Sequence, residues 1–153
     1  MSGRRGFTLV ETAVALVVVS LLVLIGFPKV SSGLARNNVR ASRTAVVNMI
    51  AKARASATIN NRKTWLKVSG SRAWVLARPR LVAAAGSDAD TLGLVENING
   101  QYGTTLTWSS ADSIGFDPRG IGSGWTGSND SITVTKGSYK DVIVVDGKGR
   151  VVK

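Results

Sequence analysis

The chain has 153 residues, no cysteine and no histidine, and 20 basic against 9 acidic side chains for a formal charge of +11. This length predicts one modest globular unit. Disulfides, thiol chemistry and cysteine metal sites are excluded. Without histidine, general acid–base catalysis and transition-metal binding lose their commonest side chain, so neither an enzyme nor a cofactor is expected.

Arg4-Arg5-Gly6-Phe7-Thr8-Leu9-Val10-Glu11 opens the chain, and an apolar run from Thr12 to Phe27 follows. Between Phe7 and Phe27 the one charged residue is Glu11. A membrane-spanning helix needs about 20 mostly apolar residues, so the run is long enough. It exceeds the roughly 7–15 residues of the apolar core of a cleaved signal. Glu11 is the anomaly, because a carboxylate at the bilayer centre costs roughly 2.5–3.5 kcal/mol on insertion scales. Near one end of the run the cost is smaller, and the side chain either rests at headgroup depth or finds a positive partner. A twin-arginine export signal would need an Ala-x-Ala-like cleavage site after the run, and Ser32-Gly33-Leu34-Ala35 is a poor one. For an ordinary single-span anchor, Arg4 and Arg5 on one side are matched by Lys29, Arg36, Arg40 and Arg43 on the other. Positive charge therefore does not set the orientation.

Gly6-Phe7-Thr8-Leu9-Val10-Glu11 resembles the class III signal of type IV pilins and type II secretion pseudopilins. The resemblance implies a leader over residues 1–6, cut by prepilin peptidase between Gly6 and Phe7, and methylation of the new amine on Phe7. It implies a transmembrane and assembly helix over residues 7–28. In that helix Glu11 pairs with the terminal amine of a neighbouring subunit, and Pro28 loosens the backbone. Proline removes one helical hydrogen bond, and Gly26 weakens the same turn. The implied location is the bacterial inner membrane, single-pass, with the bulk of the chain in the periplasm, and a pilus or pseudopilus after assembly. The implied partners are prepilin peptidase, other pilin or pseudopilin subunits and inner membrane lipid. Many major pilins close their C-terminal region with a disulfide, so a chain without cysteine fits minor pilins and pseudopilins. Loss of Arg4 and Arg5 with the leader leaves 18 basic and 9 acidic side chains, or +9.

From Val30 to about Asn60 the pattern is helical. Val39, Val46, Met49 or Ile50, Ala53 and Ala57 recur every three to four residues as an apolar stripe. Arg36, Arg40 and Arg43 share another face by their i, i+4, i+7 spacing. Residues 29–60 thus read as an amphipathic continuation of the anchor, and one helix from Phe7 to Asn60 would run roughly 80 Å at 1.5 Å per residue. Between Lys29 and Arg80 there are twelve basic residues and no acidic one. Such a stretch is a footprint for polyanions, a solvated face, or a surface for acidic neighbouring subunits.

The remainder, residues 61–153, reads as a β-rich globular domain. Thr64–Val68 and Ala73–Ala77 are expected strands, joined by a turn at Ser69-Gly70-Ser71-Arg72. Trp65 and Trp74 are expected in core or cross-strand packing. Residues 81–103 give no clear pattern. Leu106–Trp108 and Ser113–Phe116 are short strands, and Asp117-Pro118-Arg119-Gly120 has the residues of a type I turn. Ile121 to Asn129, rich in glycine and serine around Trp125, is a loop, and no phosphate-binding Gly-Lys-Ser/Thr occurs. Ser131–Thr135 and Asp141–Val145 are the clearest strands. Asp146-Gly147-Lys148-Gly149 then turns the chain, and Arg150-Val151-Val152 is expected to pair back as a last strand. Asp112, Asp117 and Asp130 offer oxygen ligands for Ca²⁺, but their spacing fits no loop motif. No metal site is expected.

Ile114-Gly115-Phe116-Asp117-Pro118-Arg119-Gly120, with Ile132-Thr133-Val134, Val142-Ile143-Val144-Val145 and Gly149-Arg150-Val151, is similar to the GspH/FimT group of minor pseudopilins and minor pilins. The two resemblances imply an α+β pilin fold: a long N-terminal helix, membrane-spanning in its first half, packed on a small antiparallel β-sheet. The implied function is a structural minor subunit of a type II secretion pseudopilus or a type IV pilus. The alternative is a DNA receptor for natural transformation, because some members of the group bind DNA through a C-terminal Gly-Arg-x-Arg. Here Gly149 and Arg150 match, whereas Val152 occupies the second arginine position and Lys153 falls one residue late. A shift of one turns a strand side chain to the other face. The DNA alternative would draw on Lys148, Arg150 and Lys153 together with Arg36, Arg40 and Arg43.

Overall fold

A computed structural model describes residues 8–79, 89–109, 113–123 and 129–152. Helix α1 spans Leu9–Asn60, followed by β1 (Thr64–Ser69), β2 (Arg72–Ala77), β3 (Asp90–Thr91) and β4 (Glu96–Asn97). Helix α2 (Ile98–Tyr102), β5 (Thr105–Trp108), β6 (Ser113–Phe116), β7 (Gly122–Ser123), β8 (Asp130–Lys136) and β9 (Tyr139–Val145) complete the described chain. It forms two compact units, Met1–Ala35 and Arg36–Lys153, and α1 contributes to both.

In the second unit α1 buries Val39, Ser42, Val46, Met49, Ile50, Ala53 and Ala57. The apolar stripe lies where its period puts it, and both Met49 and Ile50 belong to it. Ser42 is the addition. Its hydroxyl and that of Thr104 hydrogen-bond at 2.7 Å, and both residues are fully buried. At the far end of the stripe the buried Thr64 hydroxyl donates to the Ala53 carbonyl at 2.7 Å, tying β1 to the helix.

The stripe meets two antiparallel sheets, where one was expected. The larger runs β3-β2-β1-β6-β7 with β4 also on β2, and the smaller runs β5-β8-β9. Leu66, Val75, Ile114 and Phe116 of the first join Ile132, Val134, Ile143 and Val145 of the second in one core with the helix. The alternation of β1 and β2 explains this packing. Leu66 and Val68 point inward with Ala73 and Val75, while Lys67 and Arg72 point out. The β1–β2 turn needs only Gly70 and Ser71, both at positive φ (55° and 65°) between the paired Ser69 and Arg72. Two consecutive left-handed residues match the twist of a tight hairpin.

Both expected tryptophans take cross-strand positions on the outer face and are half-buried. Trp65 pairs across to Gly115. A Cβ there would lie 3.2 Å from Trp65 Cδ1 and 2.6 Å from the Ser123 carbonyl oxygen. Glycine lets the indole lie on the strand.

Three expectations are corrected. Residues 90–102, unreadable in the sequence, hold β3, β4 and α2, with Asn97 Oδ1 capping α2 through the Gly100 N–H at 2.9 Å. Gly122 and Ser123, read as loop, pair with β6. Arg150–Val152 is not a strand but a single bridge, Val151 to Val145.

Ser42→Ala should cost about 1–3 kcal/mol, because it strands the buried Thr104 hydroxyl. The double variant Ser42→Ala/Thr104→Val should recover part of that loss. Denaturant unfolding of the full chain in detergent measures both.

Candidate functional site

Two groups of residues carry the functional expectations. The first lies at the start of α1. Gly6 and Phe7 lie outside the described residues. Thr8 Oγ1 accepts the Glu11 backbone N–H at 3.2 Å, and the Thr8 carbonyl accepts the Thr12 N–H at 3.1 Å. Thr8 is therefore the N-cap and Glu11 the third helical residue, the Thr-x-x-Glu spacing of a capping box. A carboxylate in the first turn also faces the positive end of the helix dipole. The position of Glu11 thus has a local stabilising reason besides any intermolecular one.

On both sides of Glu11 the apolar residues lie open in the isolated chain, from Leu9 at 85% exposed to Phe27 at 72%. The hydroxyls among them are internally satisfied: Thr12 donates to the Leu9 carbonyl at 2.8 Å and Ser20 to the Leu16 carbonyl at 2.8 Å. This allows them to sit in an apolar medium. Pro28 lies inside α1, and its missing N–H leaves one helical hydrogen bond unmade. Among the described residues this is the one helix long and apolar enough to cross a membrane.

The second group lies in two turns built alike. In residues 117–121, Asp117 Oδ1 accepts the N–H groups of Arg119 and Ile121, both at 2.9 Å, and Oδ2 accepts Arg119 Nε at 3.0 Å. In residues 146–150, Asp146 Oδ1 accepts the N–H groups of Lys148 and Arg150 at 3.0 and 2.7 Å, and Oδ2 accepts Arg150 Nε at 2.9 Å. Gly120 and Gly149 close the turns at φ +75° and +76°, each donating its N–H back to the aspartate carbonyl at 2.8 Å. The turns lean on one another. The Gly122 N–H donates to the Lys148 carbonyl at 3.0 Å, and a Cβ on Gly149 would lie 2.5 Å from Phe116 Cε1. A Cβ on Gly120 would meet Arg54 Cγ at 3.3 Å, so the first turn rests on the last turns of α1.

This arrangement brings Lys148 and Arg150 to one end of the second unit, next to Arg119 and Arg54. Neither of those two was singled out from the sequence, although the repeated Asp-x-x-Gly spacing was a visible signal. Lys153 lies outside the described residues. The structure does not bring Arg36, Arg40 and Arg43 to this end. Arg36 Cζ lies 5.5 Å from the ring centroid of Tyr139, and Arg43 pairs with Asp141 at 3.5 Å. Those partners stand at the opening of β9, whereas Asp146 follows its last residue. At about 3.3 Å per residue the strand separates the two basic groups by roughly 20 Å. Of the three aspartates considered for Ca²⁺, Asp112 lies outside the described residues. Asp117 holds its turn, and Asp130 accepts hydrogen bonds from Trp108 Nε1 and Ser109 Oγ. No metal-holding group of carboxylates occurs among the described residues.

Both turn aspartates titrate below the ordinary value of 3.8. For Asp117 the chief cause is the Ile121 N–H, and for Asp146 the Arg150 N–H. Desolvation opposes both shifts, and the neighbouring arginine side chain adds to them. A depressed carboxylate value in the folded chain stabilises it above the unfolded value, and that stability is lost as pH falls through the folded value. The thermal midpoint of the full chain in detergent should therefore drop as pH falls below about 4. Asp146→Asn should lower the midpoint at pH 7 and flatten that drop. Gly149→Ala should destabilise at every pH, by about 1–3 kcal/mol, since its Cβ displaces a packed ring.

Comparison with known proteins adds the following. The family model described as "Type II transport protein GspH" matches residues 44–149. The model described as "Prokaryotic N-terminal methylation motif" matches residues 1–27. No curated protein sequence matches the chain. A crystal structure of the type IV minor pilin FimU of Pseudomonas aeruginosa is 18% identical, with a TM-score of 0.58 over 76% of this chain and 87% of that one. A second crystal form of the same protein is 16% identical, with a TM-score of 0.54 over 73% of this chain and 89% of that one. At these identities the shared property is the fold, a long N-terminal helix packed on antiparallel sheet.

Proposed function

Because the chain belongs to the GspH family of type II transport proteins, we propose that it is a minor structural subunit of a type II secretion pseudopilus or a type IV pilus. The observation that carries this reading is the union, in one chain, of an N-terminal methylation motif over residues 1–27 and the GspH match over residues 44–149. Prepilin peptidase cuts between Gly6 and Phe7 and the new amine is methylated. The helix that follows anchors the subunit in the inner membrane as a single span, leader inside and globular domain in the periplasm, until it enters a filament. There Glu11, already placed in the first helical turn, meets the Phe7 ammonium of a neighbour, so neither charge is left alone in an apolar setting. Pro28 gives the helix a weak point below the globular domain. The open apolar faces from Leu9 to Phe27 are what lipid covers before assembly and neighbouring helices cover after it.

A DNA-receptor reading has less support. Arg150 is already paired with Asp146 at 2.9 Å and Arg43 with Asp141, and Lys148 and Arg150 stand at the other end of β9 from Arg36.

Gly6→Ala should leave the leader attached, so that immunoblotting shows the unprocessed band in place of the mature one. Glu11→Ala should be processed normally yet be at least tenfold depleted from sheared filaments or from co-purified minor subunits. Mass spectrometry of the mature wild type should find a methylated Phe7 at the N-terminus. An intact Met1 there would overturn the reading.

A further inference from the structure

The residues around Arg36, where α1 enters the second unit, form a surface that the proposed function leaves unused. The β8–β9 hairpin turns through Gly137 and Ser138 between the paired Lys136 and Tyr139, and that turn meets the helix. The Arg36 guanidinium lies over the Tyr139 ring at 5.5 Å. Lys136 Nζ donates to the Tyr102 carbonyl at 2.7 Å, which brings the end of α2 to the same place. Arg40 follows one helical turn after Arg36 and is exposed. The chain has two tyrosines, and both are here. The acid facing this surface is Asp141, which pairs with Arg43 at 3.5 Å. Glu96, the other carboxylate near Tyr102, lines a cleft further along α1 with Thr44 and Asn48. Among the described residues no carboxylate pairs with Arg36, Arg40 or Lys136.

We infer that this end of the domain docks on anionic phospholipid headgroups of the membrane that anchors the chain. The inference rests on the anchoring part of the proposed function. Eight residues separate Phe27, the last apolar residue of the anchor, from Arg36, and the nine steps between them reach at most about 30 Å. The surface cannot stray far from the bilayer before assembly. The cations suit the interface, because Lys/Arg near a membrane surface are drawn to anionic lipid, while the core-packed Tyr139 ring holds Arg36 in place. Nucleic acid is the weaker occupant. A base would need an open aromatic face, and the Arg36 guanidinium covers one face of Tyr139. Attachment strengthens roughly fivefold for each cation at an anionic surface. It weakens with salt because the contacts are solvent-screened.

The chain lacks cysteine, so Ser138→Cys gives one labelling position on the exposed hairpin turn. The full chain carrying a fluorophore there is reconstituted into vesicles of phosphatidylcholine alone, or with one-third phosphatidylglycerol, each with a quencher on the headgroup. Quenching should be several-fold stronger with phosphatidylglycerol and should fall in high salt. It should be lost in Arg36→Gln/Arg40→Gln but kept in the matching arginine-to-lysine variant. Equal quenching in both vesicles, or quenching unchanged by the glutamine variant, overturns the inference. So does an oligonucleotide that binds wild type and not the glutamine variant while the lipid makes no difference, which assigns the surface to DNA. Flotation separates the two readings. A chain that fails to float with vesicles refutes the anchor itself, whereas one that floats without lipid-dependent quenching refutes only the docking.

Discussion

One helix has to satisfy two solvents, and the rest of the structure follows from how it does so. Up to Phe27 its side chains are apolar on every side and lie open. From Val39 onward it has one apolar stripe, and that stripe nucleates a core shared by two sheets. In the proposed role no amphipathic repeat is needed in the first part, because lipid or a bundle of like helices would surround it all round. In the second part a core lies on one side only, so a repeat is required. The hydroxyls that interrupt either pattern are bonded: Thr12 and Ser20 to their own backbone, Ser42 to Thr104.

The charges divide in a related way. Arg119 and Arg150 are each held by an aspartate within their own turn, and their structural duty is to close turns that pack against α1 in the first case and Phe116 in the second. Arg36 and Arg43 are held against β9 by a ring and a carboxylate. A basic stretch without a single acid between Lys29 and Arg80 therefore does not fold into one uniform cationic face. The acids that temper it come from the C-terminal half of the chain.

What the sequence made legible was local. The stripe of α1 and the alternation of β1, β2, β8 and β9 carry their information within a few residues, whereas the cap that Thr8 makes with the Glu11 N–H was not read. The unreadable parts depend on partners distant in sequence. β3 and β4 are two-residue pairings that exist because the edge of β2 is there to receive them. Helix α2 is five residues long, too short to show a period, and is set by a cap at Asn97 and a left-handed Gly103. Ser42 looked like a surface residue because only Thr104, 62 positions away, makes it a buried one. The expected last strand failed for a local reason that composition does not display: Asp146 takes the Lys148 and Arg150 N–H groups. The N-terminal motif was legible, and the methylation-motif model matches residues 1–27, because its pattern is a short run of residues in order. The surroundings of the basic residues were not, since a charge pattern says nothing of which acids will fold beside it.

The seating of Gly149 against Phe116 bears on the order in which the chain is made. Residues 146–152 come late in synthesis, yet they complete the wall around a ring that belongs to the first sheet, and the Val152 N–H is bound by the Val144 carbonyl. The first sheet cannot be sealed while this stretch is still inside the ribosome. A chain arrested before this turn forms would present the Phe116 side of its core to any protease, so the finished turn is what shields that ring.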